Sequence, residues 1–127
     1  MTFSQAVKTC FGKYTEFSGR ARPSEYWWWI LFAVVVQMIP YFLFIALVVG
    51  SEGTSSGATV VGGIWFVVWL GLILPSLAVF VRRLHDTGRS GWFFFLGLIP
   101  LIGPIILIVF LVGPGDPGQN KYGDPSA

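Results

Sequence analysis

Residues 26–51 read YWWWILFAVVVQMIPYFLFIALVVGS and contain no ionisable side chain other than Tyr26 and Tyr41. Two further stretches, 53–81 and 90–115, contain none at all. A bilayer span needs roughly 20 apolar residues, so each stretch has room for one. Composition agrees. Hydrophobic residues make up 54% and charged residues 11% of the 127 residues, against about 25% charged in soluble domains. A soluble surface of this size could not be covered with so few charges. These observations exclude a soluble enzyme, a disordered chain, a disulfide-stapled secreted domain and a nucleic-acid-binding module. Cys10 is the only cysteine, so no intrachain disulfide can form.

The expected fold is all-α: three transmembrane helices preceded by a short amphipathic interfacial helix. Residues 1–22 form the amphipathic segment, 23–112 the three-span membrane domain and 113–127 a flexible tail. In the first segment Phe3, Ala6, Val7, Cys10, Phe11 and Tyr14 recur at helical spacing, and Gln5, Lys8, Thr9 and Lys13 fall on the other face. Such a helix either lies in the membrane interface or packs on the protein's own loops. Its polar residues before the first apolar run do not resemble a cleavable signal, so span 1 is expected to be retained.

Span 1 is expected over about 26–49. Ser24 is a candidate cap, Glu25 favours a helix start, and Tyr26 to Trp29 form an aromatic belt. Pro40 should kink it. Residues 51–57, SEGTSSG, read as a short flexible loop. Span 2 follows over about 58–81, with Gly62, Gly63 and Gly71 as sites of close helix approach. A glycine face of span 2 should pack on another span or on a second copy, and the small size of the unit favours a homo-oligomer. Trp65 and Trp69, four residues apart, read as packing residues. Span 3 is expected over about 92–112. It contains Pro100, Gly103 and Pro104, so it is either bent or a short interfacial helix to Leu98 followed by a steeper segment. The tail from Gly113 is rich in Gly, Pro and Asp and reads as turns or disorder.

Lysine and arginine set orientation. Lys8, Lys13, Arg20 and Arg22 precede span 1, and Arg82, Arg83 and Arg89 follow span 2. The loop after span 1 has no basic residue and the tail has only Lys121. Three spans with the N-terminus inside would put seven of the eight basic residues in the cytoplasm and the C-terminus in the periplasm.

That topology brings GRARPSEYWWW (19–29) and RRLHDTGRSGW (82–92) to one surface. The two motifs, in this order in a small three-span chain, resemble the bacterial family catalogued as domain of unknown function 805. The tail segment GQNKYGD (118–124) is similar to that family's tail. At Pro23 the chain departs from the basic residue expected there. The resemblance implies an inner-membrane protein of the bacterial envelope and carries over no catalytic residue.

The candidate motif is Arg20, Arg22, Glu25, Arg82, Arg83, His85, Asp86 and Arg89. Buried charges need partners, and arginine grips a carboxylate with two parallel bonds. Asp86 should therefore bond Arg20 or Arg22, and Glu25 should bond Arg82 or Arg83. Arg89 and Ser90 would face headgroups or a ligand. His85 reads as a capping or headgroup-contacting residue, since His85 and Asp86 are chain neighbours and not a dyad. One histidine and two acids fall short of a metal site, so no metal, cofactor or catalytic residue is expected.

Three functions compete on this sequence. The first is a non-enzymatic membrane protein whose arginine motif is structural and binds anionic phospholipid headgroups or a partner protein. The second is an oligomeric transporter, channel or channel accessory, built on helices broken at Pro40, Pro75, Pro100 and Pro104. No span carries a charge at membrane depth, which tells against it. The third is an interfacial enzyme using His85 and Asp86. The first accounts for most of the residues.

Overall fold

The computed structural model describes residues 1–50 and 56–124. Within these the protein is all-helical: α1 Phe3–Gly12, α2 Pro23–Gly50, α3 Ser56–Asp86, a 3₁₀ helix Gly91–Leu98, and α4 Ile102–Val112. The expected 51–57 loop lies mostly outside the described residues.

Two helices, α2 and α3, are long and apolar enough to cross a bilayer. At about 1.5 Å per residue they measure roughly 42 and 46 Å. Their outward side chains are apolar and exposed, among them Ile39, Phe42, Val49, Val60 and Val67. In water such a surface would not persist, whereas lipid tails solvate it. Lipid also removes the hydrophobic drive for helices to associate, so polar side chains join them instead. Trp29 Nε1 donates to Ser76 Oγ at 2.9 Å and Trp65 Nε1 to Gln37 Oε1 at 2.7 Å.

Pro75 has no N–H for the carbonyl of Gly71, four residues earlier. That carbonyl accepts from the Tyr14 hydroxyl, so the turn after α1 repairs the fault that proline makes in α3. Helix α1 starts in a capping box: Gln5 N–H donates to Thr2 Oγ1 at 3.2 Å and Thr2 N–H to Gln5 Oε1 at 2.9 Å. Its apolar stripe packs on the start of α2. Phe3 meets Trp28 edge to face at 5.7 Å, and Phe11 meets Trp29 at 5.1 Å. Ala6 and Cys10 are fully buried there. The same end of the molecule holds the core, formed by Cys10, Ala21, Tyr26, Trp29, Leu72, Val79, Leu84 and Leu111.

Residues 92–112 are the expected third span, either bent or broken. The stretch is not one helix but two short ones that pack against each other. The residue before a proline avoids helical geometry, and Ile99 is extended at φ −82°, ψ 113°. Leu101 then turns the chain at φ 67°, a left-handed conformation rare outside glycine. Helix α4, 11 residues long, measures only about 17 Å and cannot cross a core of about 30 Å. The break after Leu98 matches the alternative of a short helix followed by a separate segment.

The tail from Gly113, expected as turns or disorder, is a chain of turns and bends over the described residues. Residues 113–123 form a strap that returns to the end of α3, where Asp116 N–H donates to the Asp86 carbonyl at 2.7 Å. Polar side chains at the α3 end and unpaired strap carbonyls satisfy one another, and this pulls the strap in.

The span-2 glycines divide by neighbour. A Cβ on Gly62 would sit 3.3 Å from the Phe44 ring of α2, while a Cβ on Gly63 would meet nothing within 4 Å. Gly62→Leu should therefore lose about 1–3 kcal/mol by overpacking, and Gly63→Leu should be tolerated. Thermal unfolding in mild detergent checks this. Equal losses would mean that Gly63 faces a second copy.

Candidate functional site

The site forms where the loop before α2, the end of α3 and the strap converge. Helix α3 stops in a Schellman motif: Gly88 N–H donates to the His85 carbonyl at 3.0 Å, and Arg89 N–H to that of Leu84 at 2.9 Å. Gly88 supplies the left-handed residue this stop requires, at φ +78°. The loop before α2 is pinned beside it. Ala21 N–H donates to the Arg82 carbonyl at 2.9 Å, and His85 Nδ1 donates to the Gly19 carbonyl at 3.0 Å.

Asp86 is the centre. Its Oδ1 accepts from Arg20 Nε at 2.8 Å and its Oδ2 from Arg83 Nη1 at 2.6 Å. Arg20 spends its remaining donors on backbone. Nη1 reaches the carbonyls of Gly118 at 2.8 Å and Gly123 at 3.2 Å, and Nη2 those of Asp116 at 2.7 Å and Asp86 at 3.2 Å. A guanidinium has five N–H groups, so Arg20 is saturated. Arg83 Nε donates to the Leu111 carbonyl at 3.1 Å and Nη2 to that of Gly113. Arg82 pairs with Glu25 and gives its Nε to the Glu16 carbonyl at 3.1 Å. Its Nη2 is buried without a hydrogen-bond partner among the described residues.

Arg82 and Arg83 are fully buried, and Asp86, Glu25 and Arg20 are at most 8% exposed. Three buried cations and two buried anions are costly to desolvate. The dense net of charge-assisted bonds offsets that cost. Cys10 borders the same cluster, and burial, with Glu25 adding to it, pushes its thiol up to about 12 against the opposing pull of Arg82. A thiol so hard to ionise is a packing residue and not a nucleophile.

The other expected residues lie at the rim. Arg22 is half-buried, and its guanidinium has no hydrogen-bond or ion-pair partner among the described residues. Arg89 stacks its guanidinium on the Phe110 ring at 3.8 Å, which commits it to α4. Ser90 caps the 3₁₀ helix, accepting from Trp92 N–H at 3.3 Å. His85 is stacked face to face on Tyr122, with ring centres 3.9 Å apart. Asp116, Asn120 and Tyr122 escaped the reading of the motif. Asn120 Nδ2 donates to the His85 carbonyl at 3.0 Å and to Asp116 Oδ2 at 2.9 Å. The signal for Asn120 and Tyr122 was the GQNKYGD segment, whose polar residues had no evident work in a flexible tail.

The grooves lie elsewhere and are apolar. One of about 410 Å³, between α2 and α3, is lined by Phe44, Gly62, Trp65, Phe66 and Trp69. Among the described residues no three His, Cys, Asp or Glu side chains gather as a metal site.

A family model described as a protein of unknown function (DUF805) matches residues 14–124. The chain belongs to this family. Similar relatives are the inner membrane protein YhaH of Escherichia coli, 42% identical over 113 residues and covering 88% of each chain, and the inner membrane protein YhaI of the same organism, 39% identical over 111 residues and covering 87% of this chain and 86% of the relative. No solved structure matches. The matched region of this DUF805 chain runs from the end of α1 to the strap, so it contains every residue of the arginine cluster. The chain is a membrane protein of a family whose Escherichia coli relatives are named for the inner membrane.

Proposed function

We propose that this is a non-catalytic inner-membrane protein whose arginine cluster is a structural clamp and whose outlying cations bind anionic phospholipid or a partner protein. The observation that carries this reading is the engagement of every guanidinium nitrogen of Arg20 and Arg83, and all but Nη2 of Arg82, by acceptors of their own chain. Arginines so occupied hold helices together and have few donors left for a substrate. The polar groups at membrane depth, Gln37 and Ser76, are likewise spent on Trp65 and Trp29, which favours a packed unit over a transport path. The cations left for lipid are Lys8 and Lys121, which are exposed, and Lys13 and Arg22, which are half-buried.

In this reading both termini face the cytoplasm. The strap bonds Arg20, which precedes α2, and Asp86, which ends α3. Residues 91–112 then enter and leave the membrane on the same side as a re-entrant hairpin. Seven of eight basic residues already favoured that side, and this arrangement adds Lys121 to them.

Two measurements test the proposal. A reporter fused after Ala127 should give a cytoplasmic signal, and a periplasmic one would restore three spans. Native mass spectrometry in mild detergent should show retained phosphatidylglycerol or cardiolipin, reduced when Lys8, Lys13 and Arg22 become glutamine. Each surface cation contributes about 1 kcal/mol at an anionic leaflet. Equal retention of neutral and anionic lipid would sink the lipid arm.

A further inference from the structure

Arg20 and Arg83 hold opposite oxygens of the single Asp86 carboxylate, at 2.8 and 2.6 Å. Their guanidiniums are therefore neighbours. Of the donors that turn away from the Asp86 carboxylate, Arg20 gives bonds to the strap carbonyls of Asp116, Gly118 and Gly123 and Arg83 to that of Gly113, while Arg83 Nε reaches Leu111 and Arg20 Nη2 also the Asp86 carbonyl. Carbonyl and phosphate oxygens both accept from guanidiniums. They differ in charge. A carbonyl is neutral, and charge-assisted bonds are about twice as strong as neutral ones.

The buried cluster has reason to prefer the anion. Arg20, Arg82 and Arg83 bring three positive charges, and Glu25 and Asp86 return two negative ones. The nearby Asp116 carboxylate, bonded to Asn120, is a third negative charge, but it belongs to the strap and leaves with it. The strap is also held weakly in hydrophobic terms. Between Gly113 and Gly123 there is no aliphatic side chain beyond two prolines, both exposed. Its hold consists of those carbonyls, the Asp116 N–H bond to the Asp86 carbonyl, the Asn120 bonds and the Tyr122 stack on His85. Segments with few buried apolar contacts open at low cost.

We propose that the strap occupies a phosphate-binding cleft formed by Arg20 and Arg83, and that a phosphate group displaces it. The group is free phosphate or the headgroup of an anionic phospholipid. This deepens the function proposed above and rests on its cytoplasmic placement of the strap.

Hydrogen exchange of the full-length protein in phosphatidylcholine nanodiscs tests it. Amides of residues 115–123 should exchange about tenfold faster on adding inorganic phosphate, or on moving to phosphatidylglycerol nanodiscs, the loss expected when roughly one net hydrogen bond is competed away. Chloride at equal ionic strength should have no effect. Acceleration by phosphate identifies a free anion as sufficient, and acceleration by phosphatidylglycerol alone identifies the lipid. Lys121→Gln should respond like the wild type, since a lost response would assign the effect to that lysine and overturn the cleft. Asn120→Ala with Tyr122→Ala, which loosens the strap, should bind the effective anion about tenfold more tightly by the same measure. Unchanged strap exchange in both arms overturns the proposal. Lipid retention alongside unchanged exchange would leave the function of the previous subsection standing and refute only the cleft.

Discussion

Asp86→Ala should lose about 3–5 kcal/mol of stability, because it strands two buried arginines at once. Arg20 and Arg83 both bond this carboxylate, and neither has a second acid within an ion pair among the described residues. Alanine offers no acceptor and leaves a cavity that the guanidiniums cannot fill. Arg89→Ala is the comparison. Its guanidinium stacks on Phe110 at the rim, an interaction of about 0.5–1 kcal/mol at exposed sites. Thermal unfolding in detergent, with both variants alongside the wild type, measures the difference. An Asp86→Ala protein as stable as Arg89→Ala would mean that the cluster is not the clamp. Asp86→Asn should fall between them, since the amide keeps one acceptor and removes the charge.

Gly103→Ala should open the hairpin. A Cβ at this position would land on the Leu96 carbonyl. Backbone cannot rotate away as a side-chain tip can, so the 3₁₀ helix and α4 must separate. The cost is about 3 kcal/mol or more, at the upper end of overpacking. The separation should also carry Leu111 and Gly113 away from Arg83, whose Nε and Nη2 they accept. Protease accessibility of residues 113–123 should rise with the loss of stability. Gly97→Ala is the control, since its Cβ would meet only a Leu107 methyl at 3.6 Å. Equal tolerance of the two would show that the hairpin is not closely packed at Gly103.

Part of the site was legible because charge is scarce. In a chain with six acids, of which Glu25 and Asp86 stand within the two arginine motifs, desolvation restricts the acceptable pairings to very few. The assignment of Arg89 to headgroups was not legible. Its partner, Phe110, is an apolar residue of α4 that meets it only because the chain folds back. The same holds for Tyr14, whose amphipathic position gave no hint that its hydroxyl would reach Gly71 above Pro75.

What the sequence by itself determined is the solvent and the two long apolar helices. Charge-free runs in a chain with 11% charged residues can be solvated only by lipid, and this follows from composition along the chain without any knowledge of contacts. It also marked Pro100 and Pro104 as the place where a third helix would fail, because proline acts on its local backbone. Only the tertiary structure decided where the chain went after that failure. A strap of glycine, proline and polar residues has no periodicity and no apolar face, so nothing local directs it. Its position is set by unpaired carbonyls meeting buried guanidiniums from segments about 30 to 100 residues away, an energy that exists only once Arg20, Arg83 and Asp86 have been brought together.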